Sequence, residues 1–308
     1  MSDMKCSRRE LAIGLGLAAL GSVTQAKGID PIARNGKPKF KFSLAAYSYR
    51  SLLQGAKGAP AKMSVSDFIT ECAKFELDGT ELTSYYFPQP LTFDYLKSLR
   101  KQAFQLGLDI SGTAVGNDFG VADEVKRVEE IQKLKNWIDF AEVLTAPVIR
   151  VFAGHQAKEH SEAESHRRMV SALEECCDYA GKKGIFLALE NHGGPTATAD
   201  GLLKFVRDIH SPWFGVNMDT GNFASDDLYA DLAKIAPYTL NVQVKVKYSK
   251  VDKSRHDMNY ANVAKLLRDA GYRGYVVLEF EEDGDVRTEC ERHLKEIRET
   301  FSKSMKFF

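Results

Sequence analysis

The stretch Phe42-Ser43-Leu44-Ala45-Ala46-Tyr47-Ser48-Tyr49-Arg50 decides the architecture. It opens as a short apolar strand and then runs straight into tyrosines and an arginine. A dinucleotide-binding sheet would place a G-x-G-x-x-G turn here, so that backbone N–H groups could cradle a pyrophosphate. The nicotinamide-binding reading therefore loses its main support. Working outward, short apolar and β-branched runs recur at 79–83, 108–115, 148–152, 185–190, 214–219, 240–246 and 275–280, which with 42–47 makes eight strand candidates. Helix candidates at 64–75, 94–106, 124–144, 162–181, 199–209, 228–236, 260–270 and 286–302 alternate with them. Gly107 and Gly271 stand where helices should stop before the next strand. Alternating β and α units imply a parallel sheet, and eight of them favour closure, so the fold class is α/β: a single-domain (β/α)8 TIM barrel over residues 41–308. The length of 308 residues would otherwise suggest about two domains, but such barrels routinely exceed that prior.

Ahead of the barrel, residues 1–26 have the layout of an export signal: Ser7-Arg8-Arg9-Glu10-Leu11, an apolar run from Ala12 to Leu20, and a small-residue end at Ala26. The paired arginines resemble a twin-arginine signal, which implies an exported, periplasmic protein that crosses the membrane already folded. The other reading is a basic arm with a short anchor helix; the apolar run is too short for a span of roughly 20 residues, so no membrane span is expected. Residues 27–40 carry Gly, Pro and charge without period and read as a linker. Cys72, Cys176, Cys177 and Cys290 form no C-x-x-C pair and read as buried thiols rather than a disulfide framework. The chain has no formal net charge, and losing residues 1–26 leaves it near neutral, so there is no electrostatic footprint for nucleic acid.

Barrels of this kind work at the C-terminal ends of their strands. Those ends read Leu189-Glu190-Asn191-His192, Asn217-Met218-Asp219-Thr220-Gly221-Asn222, Asn241-Val242-Gln243-Val244-Lys245 and Leu278-Glu279-Phe280-Glu281. Side chains alternate faces along a strand, so Glu190, Asp219, Gln243 and Glu279 reach one rim from four consecutive strands. Carboxylates at the end of an apolar strand are costly to bury unpaired, and a divalent cation would hold them together compactly. For any one acid alone, pairing with Arg150, Lys245 or Lys247 in a structural network is the competing reading.

On these motifs, residues 185–281 resemble the sugar isomerase/epimerase superfamily, the xylose isomerase-like barrels that include D-tagatose 3-epimerase. The resemblance implies metal ligands Glu, Asp, His and Glu, which fall on Glu190, Asp219, Gln243 and Glu279. The His position is therefore occupied by Gln243. An all-oxygen set suits Mn²⁺ or Mg²⁺, with Co²⁺ or Zn²⁺ as further candidates. The resemblance also implies a divalent-metal-dependent isomerase or epimerase in which Glu190 and Glu279 are the catalytic acid and base, passing a proton through a metal-bound enediolate.

Substrate contacts are expected from His192 in the Gly-Gly loop, Lys245, Arg150, Asn222, Glu81 at the end of the second strand, and Tyr85 in the aromatic loop Tyr85-Tyr86-Phe87. The Gly- and Ala-rich stretch 50–62 reads as a lid. The expected partner is a small-molecule sugar or derivative, and export favours free sugars, oxidised sugars or glycosides over sugar phosphates. Two alternatives stay open: a lyase or hydrolase of 3-keto sugars or glycosides in the same site, and a non-catalytic carbohydrate-binding barrel. An abasic-site endonuclease would need a basic groove and a His-rich multi-zinc site, and only His192 lies near the proposed ligands.

Overall fold

The computed structural model describes residues 28–55, 60–223 and 225–306. The stretch read as an export signal, and 56–59 of the stretch read as a lid, lie outside these residues. The apolar runs become β1 (Lys39–Ala45), β2 (Gly79–Thr83), β3 (Asp109–Ala114), β4 (Val148–Val151), β5 (Phe186–Glu190), β6 (Phe214–Asp219), β7 (Thr239–Val244) and, after a small hairpin, β10 (Arg273–Leu278). They pair in parallel in the ring order β1-β10-β7-β6-β5-β4-β3-β2, a closed (β/α)8 barrel. The closing pair, β1 with β10, sets Ser43 opposite Val277.

The helices α2 (Val65–Lys74), α3 (Phe93–Gln105), α4 (Glu124–Leu144), α5 (Glu162–Gly181), α6 (Ala199–Asp208), α7 (Leu228–Ile235), α8 (Tyr260–Asp269) and α9 (Val286–Met305) follow the one-turn α1 (Arg50–Leu53). Each of α2 to α9 starts on a side-chain cap: Ser64, Thr92, Asp123, Ser161, Thr198, Asp227, Asn259 and Asp285 accept first-turn backbone N–H groups. These caps fix where each loop leaves the catalytic end of the barrel. Helix α5 shows why the ring packs: Met169, Ala172, Leu173, Cys176, Cys177 and Ala180 fall on one helical face and are fully buried. Truncating Leu173 to Ala there would cost about 2 to 5 kcal/mol. Cys72, Cys176, Cys177 and Cys290 are all buried thiols. Among the described residues no helix is long and apolar enough to cross a membrane.

Two segments differ from the sequence reading. The linker region is strapped to the barrel: Ile29 and Ile32 donate to the carbonyls of Val206 and Pro237, and Arg34 donates to those of Ala236, Thr239 and Ala270. Strand β1 consequently begins at Lys39. The partners of this strap are backbone carbonyls about 200 residues away in sequence, so no local pattern announces it. The second is an antiparallel hairpin of β8 (Lys247–Ser249) and β9 (Arg255–Asp257) above the barrel end. Strands of three residues offer too few alternating positions to register as strands.

Candidate active site

The polar interior of the barrel is built in two tiers. The lower tier centres on Glu81, which is fully enclosed. Its carboxylate accepts from Asn241 Nδ2 at 2.8 Å and from Gln243 Nε2 at 2.6 Å. Gln243 Oε1 in turn accepts from Asn217 Nδ2 at 2.7 Å, and Asn217 Oδ1 accepts from Asn241 Nδ2 at 2.9 Å. Strands β2 and β7 are not neighbours in the ring, so this closed set of hydrogen bonds crosses the barrel interior. Each amide in it makes at least two hydrogen bonds within the set, as a buried polar network favours.

The upper tier sits at the strand ends around two cations. Lys245 Nζ lies 2.5 Å from Glu279 Oε2, 2.9 Å from Glu281 Oε2 and 3.3 Å from Asp219 Oδ2. Arg150 Nε lies 2.9 Å from Glu190 Oε2, while Asn222 Nδ2 donates to Glu190 Oε1 at 2.8 Å. Arg150 also donates to the carbonyl of Val115 and stacks on Phe152, its guanidinium carbon 4.2 Å from the ring centroid. The strand ends are braced from behind. Asn191 donates to the carbonyl of Asp219 and accepts from its N–H, and Gly221 N donates to Asp219 Oδ1. A Cβ on Gly221 would lie 2.7 Å from Lys245 Cγ and from the carbonyl of Lys247, so only glycine lets this loop close over the lysine stem.

Electrostatics follow from burial with acids in excess. Burial, then the nearby Glu279 charge, pushes Glu81 up to about 7. Burial likewise pushes Asp219 up to about 7, against the pull of Lys245. Glu190 is raised well above the carboxylate range, because burial and the neighbouring acids outweigh Arg150. Burial opposes the charges on Arg150 and Lys245, but their acidic neighbours win and both are held protonated.

Above this tier an aromatic mouth opens. His192 packs on Phe152 with its ring tilted by 41° at 4.4 Å between centroids, and its partial desolvation, then the charges of Arg150 and Lys245, lower its pKa. Tyr85 is 46% exposed and lies close enough to Arg150 to help hold its charge. The structure thus brings Glu190, Asp219, Glu279, Lys245, Arg150, Asn222, His192 and Tyr85 to one rim. Sequence reasoning left Glu281, Phe152 and Tyr47 out of the site. The period-two face of Glu279 carried the signal for Glu281, and the tyrosines after β1 carried it for Tyr47, whose pKa is raised by burial and then by Glu281.

Two expectations are corrected. Glu81 lies below the rim, bonded across the interior, and does not face a substrate at the mouth. Gln243 is not presented as a ligand: its oxygen is taken by Asn217 and its amide nitrogen by Glu81. The donors at the rim decide whether the divalent ion implied by the resemblance has a seat here. Among the described residues, Asp219 Oδ2 is the one acid oxygen buried without a hydrogen bond, and it faces the Lys245 ammonium. The three acids that do come together, Asp219, Glu279 and Glu281, meet around the Lys245 ammonium, which takes the centre of the group. With Gln243 spent, Glu190 clamped and a lysine between Asp219 and Glu279, the arrangement does not fit a divalent ion.

A surface cavity of about 700 Å³ lined by Lys41, Lys97, Arg100, Phe104 and Tyr275 lies at the other end of the barrel, where the strands start. Barrel enzymes work from the opposite end, so it is not the active site.

The chain belongs to the xylose isomerase-like TIM barrel family, whose model matches residues 69–305. No curated protein sequence matches it. Among solved structures it is similar to a D-psicose 3-epimerase from Clostridium cellulolyticum H10 (TM-score 0.69, 17% identity, 85% of this chain and 99% of that one). It is also similar to a 3-keto-D-glucoside 4-epimerase from E. coli (0.67, 14%, 85% and 100%) and to a probable 3-DHS dehydratase from Bacillus anthracis (0.63, 16%, 84% and 98%). At these identities the likeness establishes the fold.

Proposed function

We propose that this barrel is an enzyme that isomerises or epimerises a sugar carrying a free carbonyl, by moving a proton at the adjacent carbon. The observation that carries the reading is the pair Glu190 and Glu279. The two carboxyls stand at strand ends three places apart in the ring, each clamped by its own cation. They therefore approach the centre of the rim from different sides. One removes the proton and the other returns it, and the raised pKa of Glu190 suits it to be the acid. Tyr85, 46% exposed at the mouth, offers a flat apolar face to the C–H side of a sugar ring.

Acids outnumber bases at the rim: Glu190, Asp219, Glu279 and Glu281 face Arg150 and Lys245, while Arg50 is committed to the carbonyls of Phe280 and Glu281. With Arg150 and Lys245 already held by acids and Arg50 by carbonyls, the rim disfavours phosphorylated or acidic sugars. This preference agrees with the export reading of residues 1–26, on which the mature barrel works in the periplasm on free or oxidised sugars or glycosides.

A second reading, elimination from a 3-keto sugar or glycoside, is favoured by one observation: a protonated Glu190 can hand its proton to a leaving oxygen as readily as to carbon. Incubation with free ketoses, aldoses and 3-keto glycosides, followed by NMR, tests both. A stereoisomer supports epimerisation and loss of water or aglycone supports elimination. No turnover across the panel, with retained sugar binding, would leave a carbohydrate-binding barrel instead.

A further inference from the structure

The charge at the centre of this site is built into the chain. We infer that the Lys245 ammonium stands in the place of a divalent metal, so that the barrel works without one; this rests on the proton-transfer reading above. Three carboxylates from two strand ends, Asp219 at the end of β6 and Glu279 and Glu281 just past β10, converge on Nζ within 3.3 Å, which is the convergence of charge that a small cation would otherwise balance. The lysine is held in that position. Its side chain is 8% exposed, its backbone N–H donates to Thr220 Oγ1 at 2.9 Å, and the Gly221 loop closes over its stem. A divalent ion could enter only by expelling this ammonium. Gln243 could join it only by leaving the Asn217 amide and one contact of Glu81 unpaired inside the barrel.

The chemistry follows without a further reagent. A carboxylate takes the proton from the carbon beside the carbonyl, and the C–H electron pair becomes the C–C double bond. The carbonyl π pair moves to oxygen, which becomes an enolate. Lys245 donates a hydrogen bond to that oxygen as its charge develops, and the opposite carboxylic acid then returns a proton to carbon. Of the three acids on Nζ, Glu281 is the one open to solvent, with its side chain 38% exposed. It is the contact that a substrate oxygen displaces, while Asp219 and Glu279 keep the ammonium in place.

The test reads metal binding directly and so is independent of turnover. Wild-type protein purified without chelator is analysed for metals and titrated with Mn²⁺ by calorimetry, beside Gln243→His and the double variant Gln243→His/Lys245→Ala. The expected result is no bound metal and no saturable heat for wild type or Gln243→His, and saturable Mn²⁺ binding once Lys245 is removed. About one ion per chain in wild type or Gln243→His would overturn the inference. A double variant that folds by circular dichroism yet takes up no Mn²⁺ would also overturn it. Should the double variant not fold, Lys245→Met, which keeps the apolar stem, is judged by the same two outcomes. Absence of activity on every sugar, with this metal pattern intact, would count against the proton-transfer reading alone.

Discussion

Replacing Arg150 by Met removes a buried guanidinium while keeping most of its apolar volume. The side chains of Arg150 and Glu190 are only 6% and 4% exposed, so water cannot take over when one is lost. Breaking a buried pair from one side typically costs about 3 to 5 kcal/mol, because the remaining charge is stranded. At about 2 °C per kcal/mol for a chain of this size, the expected fall in Tm is roughly 6 to 10 °C. The sign with pH is fixed. Glu190 is already raised well above the usual carboxylate range, and Arg150 is the largest influence holding it down. Without Arg150 it keeps its proton to still higher pH, so the loss should be larger at pH 8 than at pH 5.5, where the carboxyl escapes by staying neutral. Differential scanning calorimetry at both pH values reads this, and Glu190→Gln in the same background should recover part of the loss. A Tm fall below 2 °C, or an equal fall at both pH values, would refute the pairing as the source of stability.

Other consequences can be checked on the same protein. Glu190→Gln and Glu279→Gln should each lower turnover on the order of 10²- to 10⁴-fold with an unchanged circular dichroism spectrum; wild-type-like turnover in either removes the two-acid scheme. Glu81 and Asp219 both sit at about 7 against ordinary values of 4.5 and 3.8. The native state thus keeps protons that the unfolded chain releases, and stability should fall as pH rises from about 4 to 7 and then level off. A Tm that rises between pH 5 and 7.5 would contradict that sign, and Glu81→Gln should shallow the slope.

Most of the fold was legible because a parallel barrel repeats one signal: an apolar strand, then a capped amphipathic helix. The eight apolar runs mark the strands, and Gly107 and Gly271 mark helix ends, both glycines taking the left-handed backbone expected there. The strap through Arg34 was not legible, since its contacts lie with carbonyls far along the chain. At the site, face alternation placed Glu190, Asp219, Lys245 and Glu279 together. Lys245 was legible as a pairing partner for any one acid, but its place between Asp219 and Glu279 was not, because a period-two rule gives the face of a side chain and not its reach. The same limit hid the role of Gln243. Its face is inward as expected, but its amide is consumed by Asn217 and Glu81 one tier below the rim.

Proton transfer to and from carbon is the central claim, and solvent exchange tests it most directly. Wild-type protein is incubated in D₂O with free and 3-keto sugars, and the position beside the carbonyl is followed by NMR. The account predicts deuterium at that carbon with wild type and none above background with Glu190→Gln or Glu279→Gln. A sugar converted with no deuterium entering, or exchange that persists in both variants, would contradict it.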